Sequence, residues 1–290
     1  MPVTYPAGIV DVDGVLYSPD QAKISVFDRG LLYGDSAFEV MRTYGGRPFA
    51  ERAHLERLAR SCERLQIALQ PGLQALQLRL ARAIAQSGQS ECYLRMVVTR
   101  GVGPLGLDLG SGYPPCVVIY ALELVVPPET VYEQGIAVGL VHTLRSVDGT
   151  PAAGAKTSNY LASMLALDLV KQRGAQEAVI LGARGEIVEG ATSNLFVVHK
   201  GRLATPPASA GILEGITRRT VFELARNAGM ACDERELSTD DLYGADEAFI
   251  TSSIREIVPV VRAEDRTIGS GHPGPVYRAL LAAYRERARR

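Results

Sequence analysis

The sequence predicts an α+β protein in two domains. Its 290 residues exceed what one ordinary hydrophobic core holds. Strand-like and helix-like patterns occur in mixed order, without an internal repeat. A stiff proline pair, Pro127-Pro128, follows an apolar strand and marks a linker. We therefore predict an N-terminal domain over residues 1–122, a linker over 123–131 and a C-terminal domain over 132–290.

The N-terminal domain is predicted to open with a hairpin, because Asp13-Gly14 between two apolar runs is typical of a type I′ turn. The predicted strands of this half are Ile9–Val12, Val15–Tyr17, Cys92–Thr99 and Cys116–Val126. The predicted helices are His54–Leu69 and Leu73–Gln86. In both helices the apolar residues recur at the spacing that places them on one face.

The C-terminal domain is predicted to alternate strands and helices. Its predicted strands are Ile136–Leu144, Glu177–Leu181, Leu195–Val198 and Ala248–Thr251. Its predicted helices are Thr157–Arg173, Thr217–Ala228 and Pro275–Arg290. Glycine follows each of the first two helices, and glycine readily adopts the left-handed conformation that ends a helix.

Composition and charge argue against several classes of protein. The net charge of −1 predicts no attraction to nucleic acid or to an anionic membrane surface. No apolar run reaches the roughly 20 residues that span a bilayer, and the start lacks a signal-peptide pattern. The four cysteines and four histidines are scattered, so we predict neither a disulfide framework nor a metal site, and we expect a reducing cytoplasm.

Lysine is rare in this chain, which makes each lysine informative. There are four lysines against 27 arginines, and arginine cannot replace lysine as a nucleophile. Lys156 lies directly before a predicted helix. A helix N-terminus and desolvation both favour the neutral amine that reacts with a carbonyl group. Taken alone, Lys156 is more consistent with a surface lysine at a helix start.

Three further segments suit a phosphorylated ring. Glu189 lies between two predicted strands, and a carboxylate can keep a pyridine nitrogen protonated, which makes the ring an electron sink. Gly215-Ile216-Thr217 opens a helix whose free N–H groups suit a phosphate, and a bound anion would offset the charges of Arg218 and Arg219 there. Thr251-Ser252-Ser253 supplies hydroxyls at a strand end. Taken alone, each segment also has an ordinary interpretation: Glu189 as a solvated glutamate, Arg218 and Arg219 as exposed arginines, and Thr251-Ser252-Ser253 as a polar turn.

A glycine-rich segment, Gly101-Val-Gly-Pro-Leu-Gly106, matches the nucleotide-binding pattern GxGxxG. Such a site requires a helix directly after the glycines, and the glycines and prolines that follow here cannot form one. We therefore predict a loop that carries no nucleotide.

The order and spacing of these motifs resemble the fold-type IV aminotransferases, from about residue 5 to residue 275. The motifs that carry the resemblance are Leu32-Tyr-Gly-Asp-x-x-Phe-Glu39, His54-x-x-Arg57-Leu58, Lys156, Glu189-Gly-x-x-x-Asn194, Gly215-Ile-Thr217, Thr251-Ser-Ser253 and Glu256-Ile-x-Pro259. The resemblance implies a smaller N-terminal α/β sandwich, a larger C-terminal pseudo-barrel domain, a homodimer and pyridoxal 5′-phosphate as cofactor.

The resemblance also implies residue roles. Lys156 would form the internal aldimine and move the proton, Glu189 would pair with the pyridine nitrogen, and Tyr160 would hydrogen-bond the ring O3′. The residues implied to bind the phosphate are Arg57, Ile216, Thr217 and Ser253. The residues implied to bind substrate are Tyr33, Phe38, Arg42, Tyr93, Arg95 and Ile254.

The substrate is predicted from positions at which the subgroups of that family carry different residues. Tyr93-Leu-Arg95 and Arg42 resemble branched-chain aminotransferases, which implies transfer from an L-branched-chain or apolar amino acid to 2-oxoglutarate by a ping-pong mechanism. Leu105-Gly-Leu107 lacks the charges of D-amino-acid transaminases. Val40, in contrast, favours a D-amino-acid or (R)-amine transaminase, and Ile254-Arg255 replaces the expected small residues. Two further hypotheses are an aminodeoxychorismate-lyase-type enzyme and an inactive binding protein on the same fold.

Overall fold

The computed structural model describes residues 4–110, 112–142 and 150–290. Contacts divide the chain into two compact units, Met1–Val125 with Ala155–Asn159, and Val126–Gly154 with Tyr160–Arg290. Five residues around Lys156 therefore belong with the first unit, although the chain has already entered the second. The linker predicted over 123–131 stays a prediction.

The first unit packs helices against one face of an antiparallel sheet. Its strands are β1 Gly8–Val12, β2 Val15–Tyr17, β3 Ser36–Tyr44, β4 Arg47–Pro48, β5 Cys92–Thr99 and β6 Cys116–Glu123, in the sheet order β2-β1-β6-β5-β3-β4. Its helices are α1 Arg29–Tyr33, α2 Glu51–Arg64 and α3 Leu73–Gln86. Apolar residues of α2 and α3, such as Leu58 and Leu80, form one core with Leu94 and Met96 of β5.

The local predictions for this unit are largely confirmed. Asp13 and Gly14 both have positive φ, at 48° and 88°, as a type I′ turn requires. Helix α3 has the predicted bounds, whereas α2 begins before His54 and ends at Arg64. Gln66 has a left-handed φ of 55°, which a continuing helix does not permit, so the predicted extension to Leu69 is wrong.

The second unit combines a mixed sheet with helices. Its strands are β7 Ile136–His142, β8 Glu177–Leu181, β9 Ile187–Gly190, β10 Asn194–His199, β11 Arg202–Thr205, β12 Cys232–Glu234, β13 Glu247–Ser252, β14 Glu256–Ala263 and β15 Arg266–Thr267. Its helices are α4 Glu129–Gln134, α5 Leu161–Lys171, α6 Ile216–Asn227, α7 Thr239–Tyr243 and α8 Pro275–Arg289, with a 3₁₀ turn at Ala208–Ala210. The sheet order is β12-β11-β10-β13-β14-β7-β8-β9, with β15 paired to β14. The last two residues of the strand predicted over 136–144 lie outside the described residues.

The helix predicted from Thr157 begins only at Leu161. Thr157 forms a β-bridge with Ala37, and the amide of Ser158 donates to the carbonyl of Ser36 at 3.3 Å. Backbone groups that pair with β3 cannot also form a first helical turn. The prediction that Lys156 directly precedes a helix N-terminus is therefore wrong.

The glycine-rich segment after β5 is a loop, as predicted. The described residues between β5 and β6 contain no helix. Val102 bridges Asp28 and so fastens the start of this loop beside α1. Across the described ranges, every helix is too short or too polar to cross a bilayer.

Candidate active site

Lys156 is held against the edge of β3 by its own backbone. Its carbonyl accepts from the amide of Phe38 at 2.9 Å, and its amide donates to Ser61 Oγ at 3.1 Å. Two residues on, Ser36 Oγ donates to Ser158 Oγ at 2.7 Å. The lysine is thus positioned by a short strand-like segment, which leaves its side chain to point over β3.

Lys156 and Arg95 contact the same aromatic ring. Lys156 Nζ lies 4.5 Å from the ring centre of Phe38, and the guanidinium carbon of Arg95 lies 4.2 Å from that centre. Phe38 is 2% exposed, so the ring is a fixed support. A cation within about 6 Å of a ring centre is attracted by the ring quadrupole. Phe38 therefore brings the Lys156 amine and the permanent cation of Arg95 close together.

The predicted substrate residues of β3 and β5 share one face of the sheet. Arg42 pairs with Tyr93, and Val40 pairs with Arg95, so these four side chains point the same way. The guanidinium of Arg42 lies 4.4 Å from the ring centre of Tyr44. Two guanidinium groups on one face suit carboxylate ligands.

Tyr33, another predicted substrate residue, contacts the loop after β5. Its hydroxyl accepts from the amide of Gly106 at 3.1 Å, and its ring lies 4.9 Å from the guanidinium carbon of Arg29. Gly34 follows with a left-handed φ of 68°, and a Cβ there would lie 2.1 Å from Asn159 Oδ1. Glycine is therefore required where the chain around Lys156 approaches α1.

Arg57, the residue of α2 that is predicted to bind the phosphate, is paired with a buried carboxylate. Its Nε and Nη2 donate to Glu39 Oε1 and Oε2 at 2.6 and 2.8 Å. His54 Nδ1 lies 2.7 Å from Glu39 Oε2. His54 and Glu39 are 1% and 0% exposed. The fork geometry of the guanidinium matches the carboxylate, which fixes the direction of the Arg57 side chain.

The charge states of this cluster follow from its environment. Burial would raise the pKa of Glu39, but the charge and hydrogen bonds of Arg57 and the hydrogen bond of His54 lower this pKa to about 2. Burial lowers the pKa of His54 below its ordinary 6.5 and outweighs the opposing effect of Glu39. Since an ionised Glu39 can only accept, the neutral His54 ring donates from Nδ1, and the contact is a hydrogen bond rather than an ion pair.

In the second unit, Glu189 is oriented by two donors. Its Oε2 accepts from Asn194 Nδ2 at 3.3 Å and from the amide of Leu213 at 3.0 Å. Asn194 Nδ2 also donates to the carbonyl of Leu213 at 2.9 Å. A Cβ on Gly215 would lie 2.1 Å from Asn194 Oδ1, so only glycine fits at this helix start. These contacts join the Glu189 and Gly215 motifs, which are distant in sequence.

Two buried hydroxyls lie near the start of α6. Thr217 is the second residue of the helix, and Thr251 pairs with Asn194 across β13 and β10. Both residues are 2% exposed. Neither Thr217 Oγ1 nor Thr251 Oγ1 has a hydrogen-bond partner among the described residues. A buried hydroxyl without a partner costs about 1–3 kcal/mol, so such a group indicates a ligand position.

The two arginines in the first turn of α6 lie in different environments, so the expectation that both are exposed is wrong for Arg218. Arg218 is buried, where it donates to the carbonyl of Pro206 at 2.9 Å and pairs with Glu234 at 3.1 Å. Arg219 is exposed. Arg218 is therefore matched by a protein carboxylate rather than by solvent, and its guanidinium stacks 5.0 Å from the ring centre of Phe222.

The remaining predicted residues occupy defined positions in the second unit. Tyr160 is the N-cap residue of α5, and Ile216 is the buried first residue of α6. Ser253 and Ile254 are partly buried in the turn between β13 and β14. The structure thus clusters Glu189 with Asn194 and Gly215 in the second unit, and Lys156 with Phe38 and Arg95 in the first.

Sequence reasoning missed three polar residues beside these clusters. Glu39 and His54 belong to motifs of the resemblance, but their spacing from Arg57 predicts nothing about a pairing. Glu177, fully buried at the start of β8, accepts from Arg255. A charged residue opening an otherwise apolar run, as in Glu177–Leu181, was the available signal.

Comparison of this chain with known proteins shows the family to which it belongs. The model of the family described as Amino-transferase class IV matches residues 36–263, most of the chain. The chain belongs to the class IV aminotransferases. It is thus an enzyme that transfers amino groups, and its relatives are aminotransferases of the branched-chain and D-alanine kinds.

Three relatives of this class IV aminotransferase illustrate the likeness. A putative branched-chain-amino-acid aminotransferase of Methanocaldococcus jannaschii is 36% identical over 275 residues, which are 95% of this chain and 94% of the relative. A D-alanine aminotransferase of Bacillus licheniformis is 30% identical, over 93% of this chain and 94% of the relative. The crystal structure of the Escherichia coli branched-chain amino acid aminotransferase superposes with a TM-score of 0.92 at 31% identity, over 97% and 94% of the two chains. The fold is therefore that of the fold-type IV aminotransferases, as predicted.

Class IV aminotransferases depend on pyridoxal 5′-phosphate, and the residues of this chain fit that group. Thr217 and Thr251 hold buried hydroxyls whose protons a phosphate can accept. Glu189 presents an oriented carboxylate, and Lys156 presents an amine over Phe38. A hydroxyl donor, a carboxylate and an amine are the three chemical groups that a phosphate, a pyridine nitrogen and an aldehyde require.

Proposed function

We propose that this class IV aminotransferase moves an amino group from an L-branched-chain or similar apolar amino acid to 2-oxoglutarate. The observation that carries the proposal is the shared ring of Phe38, which has Lys156 Nζ at 4.5 Å and the Arg95 guanidinium at 4.2 Å. An amine that reacts beside a fixed cation suits a substrate that carries a carboxylate next to its amino group. The branched-chain names of two relatives support the same substrate class.

The cofactor supplies one part of the chemistry. Pyridoxal 5′-phosphate, when bound, acts as an electron sink that stabilises negative charge at the amino acid Cα. We assign to Lys156 the covalent attachment of the cofactor and the transfer of the Cα proton. We assign to Glu189 the pairing with the pyridine nitrogen, which keeps that nitrogen protonated. Tyr160 is assigned to the ring O3′. The residues assigned to the phosphate are Arg57, Ile216, Thr217 and Ser253.

Substrate binding is assigned to the face of the first sheet that carries Arg42 and Arg95, and separately to one turn of the second unit. Arg42 and Arg95 would bind carboxylates, with Tyr93 as a hydrogen-bond partner beside them. Phe38 would orient Lys156 and Arg95. Tyr33 and Ile254 complete the assigned substrate residues. We propose ping-pong kinetics, in which the first 2-oxo acid leaves before 2-oxoglutarate binds.

Visible absorption of the purified protein tests the proposal. We expect the yellow band of the cofactor-loaded enzyme to bleach with L-leucine and to return with 2-oxoglutarate, with glutamate as product. A protein that stays colourless after addition of pyridoxal 5′-phosphate would contradict the cofactor assignment. Pyruvate release from aminodeoxychorismate would instead identify a lyase.

Val40 favours a second candidate, a D-amino-acid or (R)-amine transaminase. Val40 lies directly opposite Arg95 on the substrate face, so its side chain narrows the space beside that cation. The similarity to a D-alanine aminotransferase agrees with this candidate. Bleaching with D-alanine or an (R)-amine, but not with L-leucine, would establish it.

We also propose that the enzyme is a homodimer. Several large apolar side chains are exposed in each unit, including Leu161, Met164 and Leu165 on α5, and Leu31 and Leu107 in the first unit. Exposed apolar groups in such number are typical of an interaction surface. A second copy of the chain is the proposed partner, and analytical ultracentrifugation should give about twice the mass of 31.2 kDa.

A further inference from the structure

Arg255 links three parts of the second unit. It lies in the turn between β13 and β14, where its Nη2 donates to Glu177 Oε2 at 2.6 Å and to Thr192 Oγ1 at 2.7 Å. Its Nε donates to Ser252 Oγ at 3.3 Å. Tyr132 Oη donates to its carbonyl at 3.2 Å. Both the side chain and the backbone of Arg255 are therefore anchored.

The carboxylate that Arg255 contacts is buried. The Glu177 side chain is 0% exposed, whereas that of Arg255 is 25% exposed. Glu177 Oε2 also accepts from Thr192 Oγ1 at 2.9 Å and from Ser193 Oγ at 3.1 Å. Of these three partners, only the guanidinium carries a charge. Because an ionised carboxylate away from water requires a paired charge, Glu177 holds Arg255 in this position.

The contacts of Arg255 join two turns beside proposed cofactor residues. Thr192 and Ser193 lie between β9, which carries Glu189, and β10, and Ser252 precedes the turn residues Ser253 and Ile254. Arg255 spans from one turn to the other, so neither turn moves without stretching hydrogen bonds to the same guanidinium. This arrangement gives a reason for a large charged residue where the family resemblance implies a small one.

We propose that Arg255 is a positioning residue for the phosphate of the cofactor. It holds the 252–255 turn, through Glu177 and Thr192, in the shape in which Ser253 and the turn backbone meet a phosphate; this inference rests on the proposed function. A direct bond from Arg255 to a substrate carboxylate is the competing role. That role requires the guanidinium to leave a buried carboxylate, which is unfavourable.

The test compares a phosphorylated with an unphosphorylated ligand. Cofactor-free protein is titrated with pyridoxal 5′-phosphate and separately with pyridoxal, and dissociation constants are read from the visible absorption. We expect Arg255→Met to raise the dissociation constant of pyridoxal 5′-phosphate about tenfold, the lower end of the loss seen when the outer partners of metal ligands are removed. The dissociation constant of pyridoxal should stay the same, since pyridoxal has no phosphate to lose contacts with.

Two further variants serve as a conservative substitution and as a control. Arg255→Lys keeps a positive charge for Glu177 but loses the fork that reaches Thr192 and Ser252, so it should fold and still weaken the phosphorylated ligand selectively. Arg202→Met removes an exposed ion pair with Asp233 in the same unit and should change neither constant.

Three results would overturn the positioning role. The first is an unchanged constant for pyridoxal 5′-phosphate in both Arg255 variants. The second is an equal loss for both ligands, which a general structural effect would produce. The third is a raised KM for the amino donor with unchanged cofactor binding, which would make Arg255 a substrate ligand. Wild-type protein that binds neither ligand would instead overturn the proposed function, and the positioning role with it.

Discussion

Two clusters of buried polar groups, one in each unit, are matched in different ways. In the first unit, Arg57 is paired with Glu39 through two hydrogen bonds of 2.6 and 2.8 Å, and His54 completes the cluster. In the second unit, Thr217 and Thr251 bury hydroxyls for which the described residues provide no partner. The first cluster is therefore organised by the protein itself, whereas the two hydroxyls of the second suit a ligand that accepts hydrogen bonds.

This difference predicts opposite responses to substitution. Loss of a partner in the first cluster leaves a charge buried, which should lower the stability of the protein before any ligand is considered. Loss of a hydroxyl in the second removes a group that the protein alone does not satisfy, so the effect should fall on ligand binding. Lys156, to which we assign the reaction, should show a third behaviour, in which turnover is lost while the fold is kept.

The largest effect is expected for Lys156→Ala. Turnover with L-leucine and 2-oxoglutarate should fall by about 10⁴-fold or more, because both roles proposed for Lys156, attachment of the cofactor and proton transfer, are removed. The backbone contacts that hold residue 156 do not involve the side chain, so the melting temperature should change little. Lys171→Ala, at the exposed end of α5, is the matched control and should keep full activity.

Glu39→Gln should be the strongest test of the paired cluster. It leaves the Arg57 charge buried without its counter-charge, and we expect the free energy of unfolding to fall by about 3 kcal/mol. Urea unfolding of the cofactor-free protein measures this value. Glu56→Gln, which alters an exposed ion pair with Arg52, should change it little. Equal stability of the Glu39 variant and the wild type would contradict the comparison.

The Glu189→Gln variant tests the contribution of the charge of this side chain while keeping its position. Glutamine keeps an oxygen that can accept from Asn194 and from the Leu213 amide, but it carries no charge to keep a pyridine nitrogen protonated. We expect the rate constant to fall about a hundredfold, within the usual range for a proton-transfer contribution, while cofactor binding is retained. Glu186→Gln, on the hairpin before β9, is the control and should react at the wild-type rate.

Acid should weaken the first cluster in two steps. The pKa of His54 lies below 6.5 in the fold, so the unfolded chain takes up the proton first, and stability falls as the pH drops below 6.5. The pKa of Glu39 is lowered from 4.5 to about 2, so its contribution is present above pH 4.5 and is lost from pH 4.5 down to about 2.

Urea unfolding between pH 7.5 and pH 4 measures the first of these steps. One proton gives a slope of up to about 1.4 kcal/mol per pH unit. His54→Gln should remove the slope that begins at pH 6.5. His272→Gln, at an exposed histidine, should retain it. A slope that is the same in all three proteins would show that another group is responsible.

The smallest effect is expected for Thr217→Val. The cofactor-free variant should be as stable as wild type or slightly more stable, because the lost hydroxyl had no partner among the described residues. Binding of pyridoxal 5′-phosphate should weaken by about 1 kcal/mol, the value of one hydrogen bond. Thr220→Val provides the contrast, because Thr220 Oγ1 donates to the Ile216 carbonyl at 3.0 Å, so its loss should affect stability but not cofactor binding.

Local features of this chain were determined by the sequence alone. Asp13-Gly14 specified a type I′ hairpin because both residues tolerate a positive φ. The bounds of α3 and β5 followed from apolar periodicity, which depends only on neighbouring residues. The order and spacing of the motifs also sufficed to indicate the family, which the family model then confirmed.

Tertiary structure alone decided which of these segments meet. Thr157 and Ser158 were predicted to form a helix, but pairing with β3 took their backbone groups, and the helix began at Leu161. The partner of Arg255 is Glu177, 78 residues away. Local propensity is a sum over neighbours in the chain, whereas burial and pairing of a charge depend on which distant groups exclude water from it. For that reason the motifs sufficed to indicate the family, whereas the electrostatic partners of single residues could not be predicted from them.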